Sequence, residues 1–390
     1  MSAVSVLQIQ ELCDYIVDFL HDSSPDLKSC ALVSTPLASS AQRHLFYDII
    51  LNQGTPSVDD SRTLWNFDEA GACTRLCSAL RASPHLIGLI RRLRASLEED
   101  ILDQLRAVPF GNLQDFVLSR RGGAFPEPGA LLAATEIIGL PSIRRVRLIR
   151  PTLPDIHHLS RLFQQSAPQL HTLSLNYPSL PFDSGTLDPS LNGPAAKIKS
   201  LHITAHRFHW KTLLHSLGPF DFTELQDIDC GGMTVHSCST LLSRSQSTIN
   251  KLALHLLPRN ADPEPAGLRT LLSLPSLTHL VVKFADRPMD DLKALFAPLL
   301  LSNELQDLAL EFYTEYDSLR ASYLDGLRLI LSTTAFPVLR HMKVALNLTS
   351  SINPPTSETE GHLRAALTAW DARGQLEIVV SSWGARSQVS

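Results

Sequence analysis

Residues 170–175 read LHTLSL, and residues 305–310 read LQDLAL. Both segments place apolar residues at the first, fourth and sixth positions and mostly polar residues between them. The side chains of a strand point alternately to its two faces, so this spacing predicts a short strand with one buried face and one polar face. The two segments therefore represent the local unit from which the fold is built.

The same spacing recurs along the chain at intervals of 23 to 34 residues. Ten matching segments begin at Ile90, Leu113, Ile143, Leu170, Ile198, Leu225, Ile249, Leu277, Leu305 and Leu339. From the second to the last, the average interval is about 28 residues, within the period of about 20 to 29 that is typical of leucine-rich repeats. The sequence therefore predicts an α/β fold in which an irregular leucine-rich-repeat solenoid forms a horseshoe, with a parallel concave sheet and outer helices.

Stretches between these segments carry apolar residues every three or four positions, which is the spacing of one helix face. They are residues 155–165, 210–217, 235–242, 291–300, 318–331 and 362–370. Insertions rich in Pro, Ser, Gly and Asp interrupt the period at 176–197, 258–267 and 350–360, which predicts loops there. The array lacks the asparagine that follows the strand in regular repeats, so its turns must satisfy their backbone groups in another way.

Residues 7–50 fall outside the period and have the pattern of three short helices. Leu12, Ile16, Phe19 and Leu20 form one helical stripe, a second helix follows Pro25, and a third ends near residue 46. We therefore divide the chain into a helical module at residues 1–50, a linking helical segment at 51–84 and about ten repeats at 85–385.

The helical module resembles an F-box. In particular, it resembles the F-boxes of large families of fungal proteins in which leucine-rich repeats follow the F-box. The resemblance lies in E-L-x-x-x-I-x-x-x-L-H-D from Glu11, D-L-K-x-C-x-L-V-S from Asp26 and R-H-L-F from Arg43. Gln8 stands where the family has proline, and Leu37 stands where it has tryptophan. The resemblance implies that the module binds the Skp-type adaptor of a cullin-RING (SCF-type) ubiquitin ligase, and through it a cullin, while the repeats bind a protein substrate.

By matching positions, the resemblance implies a set of nine apolar residues for the adaptor contact. They are Leu7, Leu12, Ile16, Leu20, Leu27, Cys30, Val33, Leu37 and Leu45. Some of these side chains must instead fill the core of the module, and the sequence does not divide the two sets. The alternative function is a leucine-rich-repeat scaffold or protein-interaction module that does not engage a ubiquitin ligase.

Polar residues that alternate with the apolar strand positions are expected on the concave face of the array. In its first half they are mostly arginines, which suit bidentate contacts with carboxylate or phosphate groups. The candidate partner-binding residues are Arg92, Arg94, Arg145, Arg147, His202, Asp227 and Asp229. Asp115 lies between the two arginine pairs, so two alternatives stay open: an ion-pair cluster that satisfies itself, and charges that serve only solubility.

Composition and motifs argue against other functional classes. The 34 basic and 39 acidic residues leave a net charge of −5, which favours binding neither to nucleic acid nor to an anionic membrane. The sequence contains no phosphate-binding loop, nucleophile elbow or zinc-protease motif, so we expect neither an enzyme nor a cofactor. His202, His206 and His209 lack a paired ligand spacing, and no metal site is expected. Without a signal peptide or a membrane-spanning run, we expect an intracellular protein, in the cytoplasm, the nucleus or both.

Overall fold

The computed structural model contains helices and parallel strands, which gives the chain an α/β fold, and the two alternate over residues 72–176. The structure describes residues 10–51, 71–119, 125–151, 153, 156–166, 168–176, 196–204, 220–231, 242, 245, 247–256, 274–285, 304–315, 327–328, 331, 336, 338–349 and 356–383. The chain divides into two units, Met1–Lys197 with His215–Asp221, and Ile198–Leu214 with Phe222–Ser390. Each unit contains a run of parallel strands.

The first unit begins with three helices, α1 at Gln10–Phe19, α2 at Ser24–Val33 and α3 at Thr35–Leu45. Pro25 and Pro36 lie in first turns, where the missing backbone N–H costs no helical hydrogen bond. The Ser34 hydroxyl caps α3 by accepting a hydrogen bond from the backbone N–H of Leu37. All three helices contribute to one core, which contains Cys13, Val17, Leu27, Leu37, Ala41 and Leu45. We call residues 10–45 the N-terminal module.

Five parallel strands follow in spatial order, β1 at Asp48–Leu51, β2 at Arg92–Ser96, β3 at Asp115–Ser119, β4 at Arg145–Ile149 and β5 at Thr172–Asn176. The helices of this region are α4 at Ala72–Ala82, α5 at Glu99–Arg106, α6 at Pro128–Ile138 and α7 at Ile156–Phe163, with a 3-10 helix at Pro84–Leu89. A separate parallel pair joins β6 at Ala196–Lys197 to β8 at Phe220–Asp221. The rings of Phe163 and Phe220 meet there edge to face, with their centroids 5.0 Å apart.

The described residues of the second unit form seven strands, which are parallel wherever they pair. They are β7 at Ser200–Thr204, β9 at Asp227–Gly231, β10 at Lys251–Leu256, β11 at His279–Ala285, β12 at Asp307–Glu315, β13 at His341–Thr349 and β14 at Leu376–Trp383. Two helices precede the last strand, α8 at Thr356–Ala366 and α9 at Thr368–Asp371. Trp370 is buried, and its Nε1–H donates a 2.6 Å hydrogen bond to the carbonyl of Leu331. The long strands β11 and β12 stack Phe284 on Phe312 at 5.1 Å.

Each of the ten segments that share the apolar spacing forms a parallel strand, so that prediction is confirmed. In these two runs of strands, β1, which begins the first run, and β14, which ends the second, were not predicted. Residues 46–51, FYDIIL, repeat the apolar spacing, and the expected module boundary at residue 50 therefore cuts through β1. Before β14 the pattern is broken because Arg373 takes the first apolar position.

Among the helices, residues 155–165 are confirmed as the region of α7. The expected loop at 350–360 is wrong at its end, because α8 begins at Thr356, ahead of the helix expected at 362–370. The other expected helices, at 210–217, 235–242, 291–300 and 318–331, and the loops at 176–197 and 258–267, lie almost entirely outside the described residues. Within the described part of the chain, none of the helices is both long and apolar enough to cross a membrane.

One backbone motif recurs where successive strands begin. The carbonyl of Arg91 accepts hydrogen bonds from two consecutive N–H groups, those of Gln114 and Asp115, at 2.8 and 3.0 Å. The carbonyls of Tyr47, Gln114, Arg144, Lys199, Gln226, Asn250, Thr278 and Gln306 each accept two such bonds from the next strand in the same way. This shared acceptor satisfies the first backbone donors of each of these strands, at the end opposite to the one where regular repeats carry the asparagine.

Side chains from the strands alternate between a buried face and a polar face. In the first unit, one register row holds Leu93, Phe116, Val146 and Leu173, all buried. The adjacent row holds Arg92, Asp115, Arg145 and Thr172. Several side chains on the polar face are nevertheless buried, among them Asp115, Val117, Ser174 and Ala253.

The register makes paired predictions about stability. Leu173→Ala and Leu280→Ala each remove a fully buried side chain, so each should lower the free energy of unfolding by about 2 to 5 kcal/mol. The neighbours Thr172 and His279 point to the opposite face, and their replacement by alanine should change it by about 0.5 kcal/mol or less. Urea unfolding followed by circular dichroism measures the free energy of unfolding of each variant. Equal losses for Leu173→Ala and Thr172→Ala, or for Leu280→Ala and His279→Ala, would contradict the register.

Candidate protein-interaction surfaces

The N-terminal module divides the nine expected adaptor-binding residues between its core and its surface. Leu27, Leu37 and Leu45 are buried in the core, and Leu20 and Cys30 pack against it while partly buried. The side chains at the surface are Leu12, Ile16 and Val33, with exposed fractions of 40%, 42% and 66%. Leu7 lies outside the described residues. A partner of the module can therefore contact only part of the expected set.

Helix α1 leaves most of the apolar stripe that its sequence predicts at the surface. Leu12, Tyr15, Ile16 and Phe19 follow the spacing of one helix face, and all four are exposed. Tyr15 and Phe19 lie edge to face with centroids 4.8 Å apart. At the end of α2, Leu32 is 88% exposed. Tyr15, Phe19 and Leu32 were absent from the expected contact set, although the sequence had placed Phe19 in the apolar stripe of this helix.

Polar contacts hold α1 against α3 in the orientation that leaves this stripe outside. The Asp14 carboxylate accepts hydrogen bonds from the Ser40 hydroxyl and from the Gln10 amide, which together lower the pKa of Asp14. His44 contacts the carboxylate of Asp18 at 2.7 Å. Because these contacts fix the rotation of α1, Cys13 and Val17 face the core and the apolar stripe faces solvent.

A network of arginines and carboxylates covers the polar face of the first strand run. Asp115 lies between Arg92 and Arg145 in register and accepts hydrogen bonds from the Nε–H of both. Asp48 on β1 accepts from Arg92 at 3.3 Å and from Arg94 at 3.2 Å. The four arginines expected to meet a partner are therefore brought together, and three of them pair with carboxylates of the chain. We call these four arginines and two aspartates the arginine face.

Asp48 was not anticipated from the sequence because the strand that carries it had been assigned to the helical module. The residue is distant from its partners along the chain and meets them only through the pairing of β1 with β2. The apolar spacing in residues 46–51 was the available signal. A deletion of residues 1–50 would therefore remove both the N-terminal module and one carboxylate of the arginine face.

His202, Asp227 and Asp229 also lie together, on the polar face of the second unit, and His255 joins them. His255 Nε2 is 3.4 Å from Asp229 Oδ1, and His202 Nδ1 is 3.9 Å from Asp229 Oδ2. Burial alone would raise the pKa of Asp229, but contacts with the two histidines outweigh it and hold that pKa well below its ordinary value of 3.8. Asp229 therefore remains an anion between two imidazoles.

Ser200 connects the other carboxylate to this cluster. Its hydroxyl lies 2.8 Å from His202 Nε2 and 3.2 Å from Asp227 Oδ2. A hydroxyl has one proton, so a consistent assignment is that Ser200 donates to Asp227 and accepts from the imidazole. Within the ranges that the structure describes, no three His, Cys, Asp or Glu side chains are grouped to hold a metal ion. His206 and His209 lie outside those ranges.

Comparison with known proteins finds no family model that matches the sequence and no similar protein among the curated sequences searched.

The arginine face predicts that one carboxylate stabilises the first unit. Asp115→Asn removes a buried anion shared by two guanidinium groups, so the free energy of unfolding should fall by about 1.5 to 3 kcal/mol. Glu136→Gln is the matched control, since Glu136 is exposed and lies 3.8 Å from Arg106. It should cost about 0.5 kcal/mol or less. Urea denaturation compares the variants, and an equal small loss would mean that the network contributes no more than surface pairs do.

The histidine and aspartate cluster predicts a dependence on pH. Because the folded state lowers the pKa of Asp229, the ionised carboxylate stabilises the fold above pH 3.8, and that contribution is lost as the pH falls further. Asp229→Asn should therefore lower the free energy of unfolding at pH 7 by about 1 kcal/mol or more, and the difference should shrink below pH 3.8.

Asp307→Asn is the control for this experiment, since Asp307 forms an exposed pair with His279 in the same unit. It should change stability by about 0.5 kcal/mol or less. Urea unfolding at pH 7, 5 and 3 supplies the comparison. A difference between wild type and Asp229→Asn that grows on acidification below pH 3.8 would contradict the assignment.

Proposed function

We propose that this chain is the substrate-recognition subunit of a cullin-RING (SCF-type) ubiquitin ligase. In this proposal the N-terminal module is an F-box that binds a Skp-type adaptor and, through it, a cullin. The strands and helices that follow are an irregular leucine-rich-repeat solenoid that binds a protein substrate. The chain performs recognition and no chemical step, and it acts in the cytoplasm, the nucleus or both.

The observation that carries the proposal is the apolar stripe of Leu12, Tyr15, Ile16 and Phe19 on the outer side of α1. The core of the module is built from other side chains, and the exposed parts of these four are surface that the module itself does not cover. Contiguous apolar surface exposed to water is typical of a protein-binding site. Aromatic side chains such as Tyr15 and Phe19 are also the residues that contribute most to binding at protein interfaces.

Leu37, which departs from the family pattern, bears on the same proposal. The side chain is 6% exposed and belongs to the core of the module. Its substitution for tryptophan therefore alters the interior and leaves the outer stripe of α1 complete. The adaptor contact in this chain would depend on α1 and on Leu32 and Val33 at the end of α2.

The strand run supports the second half of the proposal. Within each unit, paired parallel strands present rows of side chains on one face. One row of the first unit holds Arg92 and Arg145, one row of the second unit holds His202 and Asp229, and none of these four is buried. Such a face suits the recognition of a polar protein surface.

Capture of the Skp-type adaptor by the full chain tests the proposal. Ile16→Asp and Phe19→Asp each place a charge in the apolar stripe, and an unpaired charge in a dry interface costs several kcal/mol. Each should weaken adaptor capture by about a hundredfold or more. Both side chains are exposed in the free protein, so the fold should remain intact by circular dichroism.

Leu132→Asp is the matched control, because Leu132 is an exposed leucine on α6 that lies outside the N-terminal module. It should leave adaptor capture unchanged. If the wild-type chain does not bind the adaptor, or if all three variants bind it equally, the ligase proposal fails and a scaffold without ligase engagement takes its place.

A further inference from the structure

The last strand of the second unit, β14, lies at the edge of its sheet. It pairs in parallel with β13, and among the described residues it has no neighbour on its other side. The Met342 N–H of β13 donates a 2.8 Å hydrogen bond to the Gln375 carbonyl. In a parallel ladder this directs the backbone groups of the odd-numbered residues of β14 toward β13 and those of the even-numbered residues away from it. The residues with outward-pointing backbone groups are Leu376, Ile378, Val380 and Ser382.

The apolar side chains of β14 are also left partly open. Leu376, Ile378 and Val380 are each partly exposed. Their register partners on β13, which lie on the same side of the sheet, are all fully buried. These partners are Met342, Val344 and Leu346. On the polar face of the strand, Val379 is 38% exposed. Apolar surface on both faces therefore flanks a row of backbone donors and acceptors.

The sequence of β14 lacks the features that usually prevent an edge strand from pairing with another chain. Such features are lysine, proline, a bulge or a very short strand. Residues 376–383 read LEIVVSSW, without lysine or proline, and their register with β13 is continuous. The one acidic residue, Glu377, is paired within the sheet, where its Oε1 lies 2.6 Å from Lys343 Nζ. This edge is therefore suited to accept a further strand.

The edge strand of the first unit, β1, shows the contrast. It is only four residues long, and its side chains at Ile49, Ile50 and Leu51 are buried. β14 has eight residues, and none of its side chains that the structure describes is buried. The difference between the two edges means that the exposure of β14 is a property of this strand and not of every edge in the fold.

We propose that β14 pairs with β14 of a second copy of this chain, antiparallel and about a two-fold axis beside Val379. In a two-fold contact the same residues of both copies meet. With Val379 at the centre, Ile378 of one copy lies opposite Val380 of the other, and Leu376 lies opposite Ser382. These are the residues whose backbone groups point outward, so each opposed pair exchanges both of its backbone hydrogen bonds.

The side chains of the polar face fit the same arrangement. Val379 lies opposite its own copy at a position without hydrogen bonds, where opposed side chains are closest, and the two exposed valines cover each other. Glu377 lies opposite Ser381, an uncharged residue whose hydroxyl donates to Asn347 within its own sheet. The two Glu377 carboxylates are then about 13 Å apart along the ladder, at about 3.3 Å per residue, which is beyond the reach of strong repulsion in salt.

These features favour a second copy over an unrelated segment as the occupant. A second copy matches the strand in length, presents apolar residues to both of its apolar rows and brings no like charges together. The proposal does not depend on the ligase function, because β14 belongs to the second unit and the N-terminal module to the first. A dimer would carry two copies of the polar face, so a partner with two binding sites would be held more tightly than a partner with one.

Sedimentation equilibrium of the full chain tests the proposal. A contact limited to one pair of strands is small, so we expect a dissociation constant of about 1 to 100 µM, and the wild type should pass from the mass of one chain to that of two across this range. Val379→Lys and Val379→Glu each place like charges face to face at the centre of the contact. Each should raise the dissociation constant by about tenfold or more. Because Val379 is exposed, both variants should keep the circular dichroism of the wild type.

A mixture of the two variants distinguishes a two-fold contact from other effects of the added charges. An equimolar mixture of Val379→Lys and Val379→Glu should recover the mass of two chains, since an ammonium group then faces a carboxylate across the axis. Val338→Lys is the matched control, because Val338 is 43% exposed and lies in the same unit outside β14. It should associate as the wild type does.

Three results would each overturn the proposal. They are a wild type that keeps the mass of one chain throughout, association of the wild type that Val379→Lys leaves unchanged, and a mixture that is no heavier than its two components. The first result would leave the edge to another occupant, either residues 384–390 or an extended segment of a different protein. Adaptor capture by the same samples should be equal in the wild type and the Val379 variants, so a failure of the ligase proposal is recognised separately.

Discussion

The shared carbonyl acceptor found at the start of nine of the described strands is the contact on which the rest of the structure depends. One carbonyl receives two successive N–H groups from the next strand, as the Arg91 carbonyl does from Gln114 and Asp115. This contact begins the pairing at the same residue of each strand, and a shift of one residue would turn every side chain to the other face. The arginine face exists because this register places Asp115 opposite both Arg92 and Arg145.

Much of the fold could be predicted because the apolar spacing is repeated, and each copy supports the others. The exceptions have physical causes. β1 was assigned to the wrong element because Phe46 and Tyr47 follow α3 directly, and β14 lacks its first apolar residue because Arg373 occupies that position. The burial of Asp115 and Ser174 was not predicted. The alternation of apolar and polar residues predicts the face on which a side chain lies, but it does not predict the fraction of that side chain that stays exposed to solvent.

The candidate surfaces were less predictable than the strands. A stripe of apolar residues on α1 is expected, but the division between Cys13 and Val17 inside and Tyr15 and Phe19 outside depends on how α1 rotates against α3. That rotation is set by the contacts of Asp14 with Ser40 and of Asp18 with His44, which join residues 26 positions apart. In the same way, which arginine lacks a carboxylate depends on pairing between distant strands.

The short connection between α3 and β1 has a mechanical consequence. Only Phe46 and Tyr47 separate the two elements; Phe46 packs against the core of the N-terminal module, and the Tyr47 carbonyl is held by the N–H groups of Arg91 and Arg92. This connection is therefore held at both ends and does not act as a flexible linker. A partner bound at the arginine face would lie at a fixed distance and angle from a partner bound at α1. The fold fixes the distance between the two surfaces. Inserting a few glycines between α3 and β1 would uncouple their positions without changing the residues of either surface.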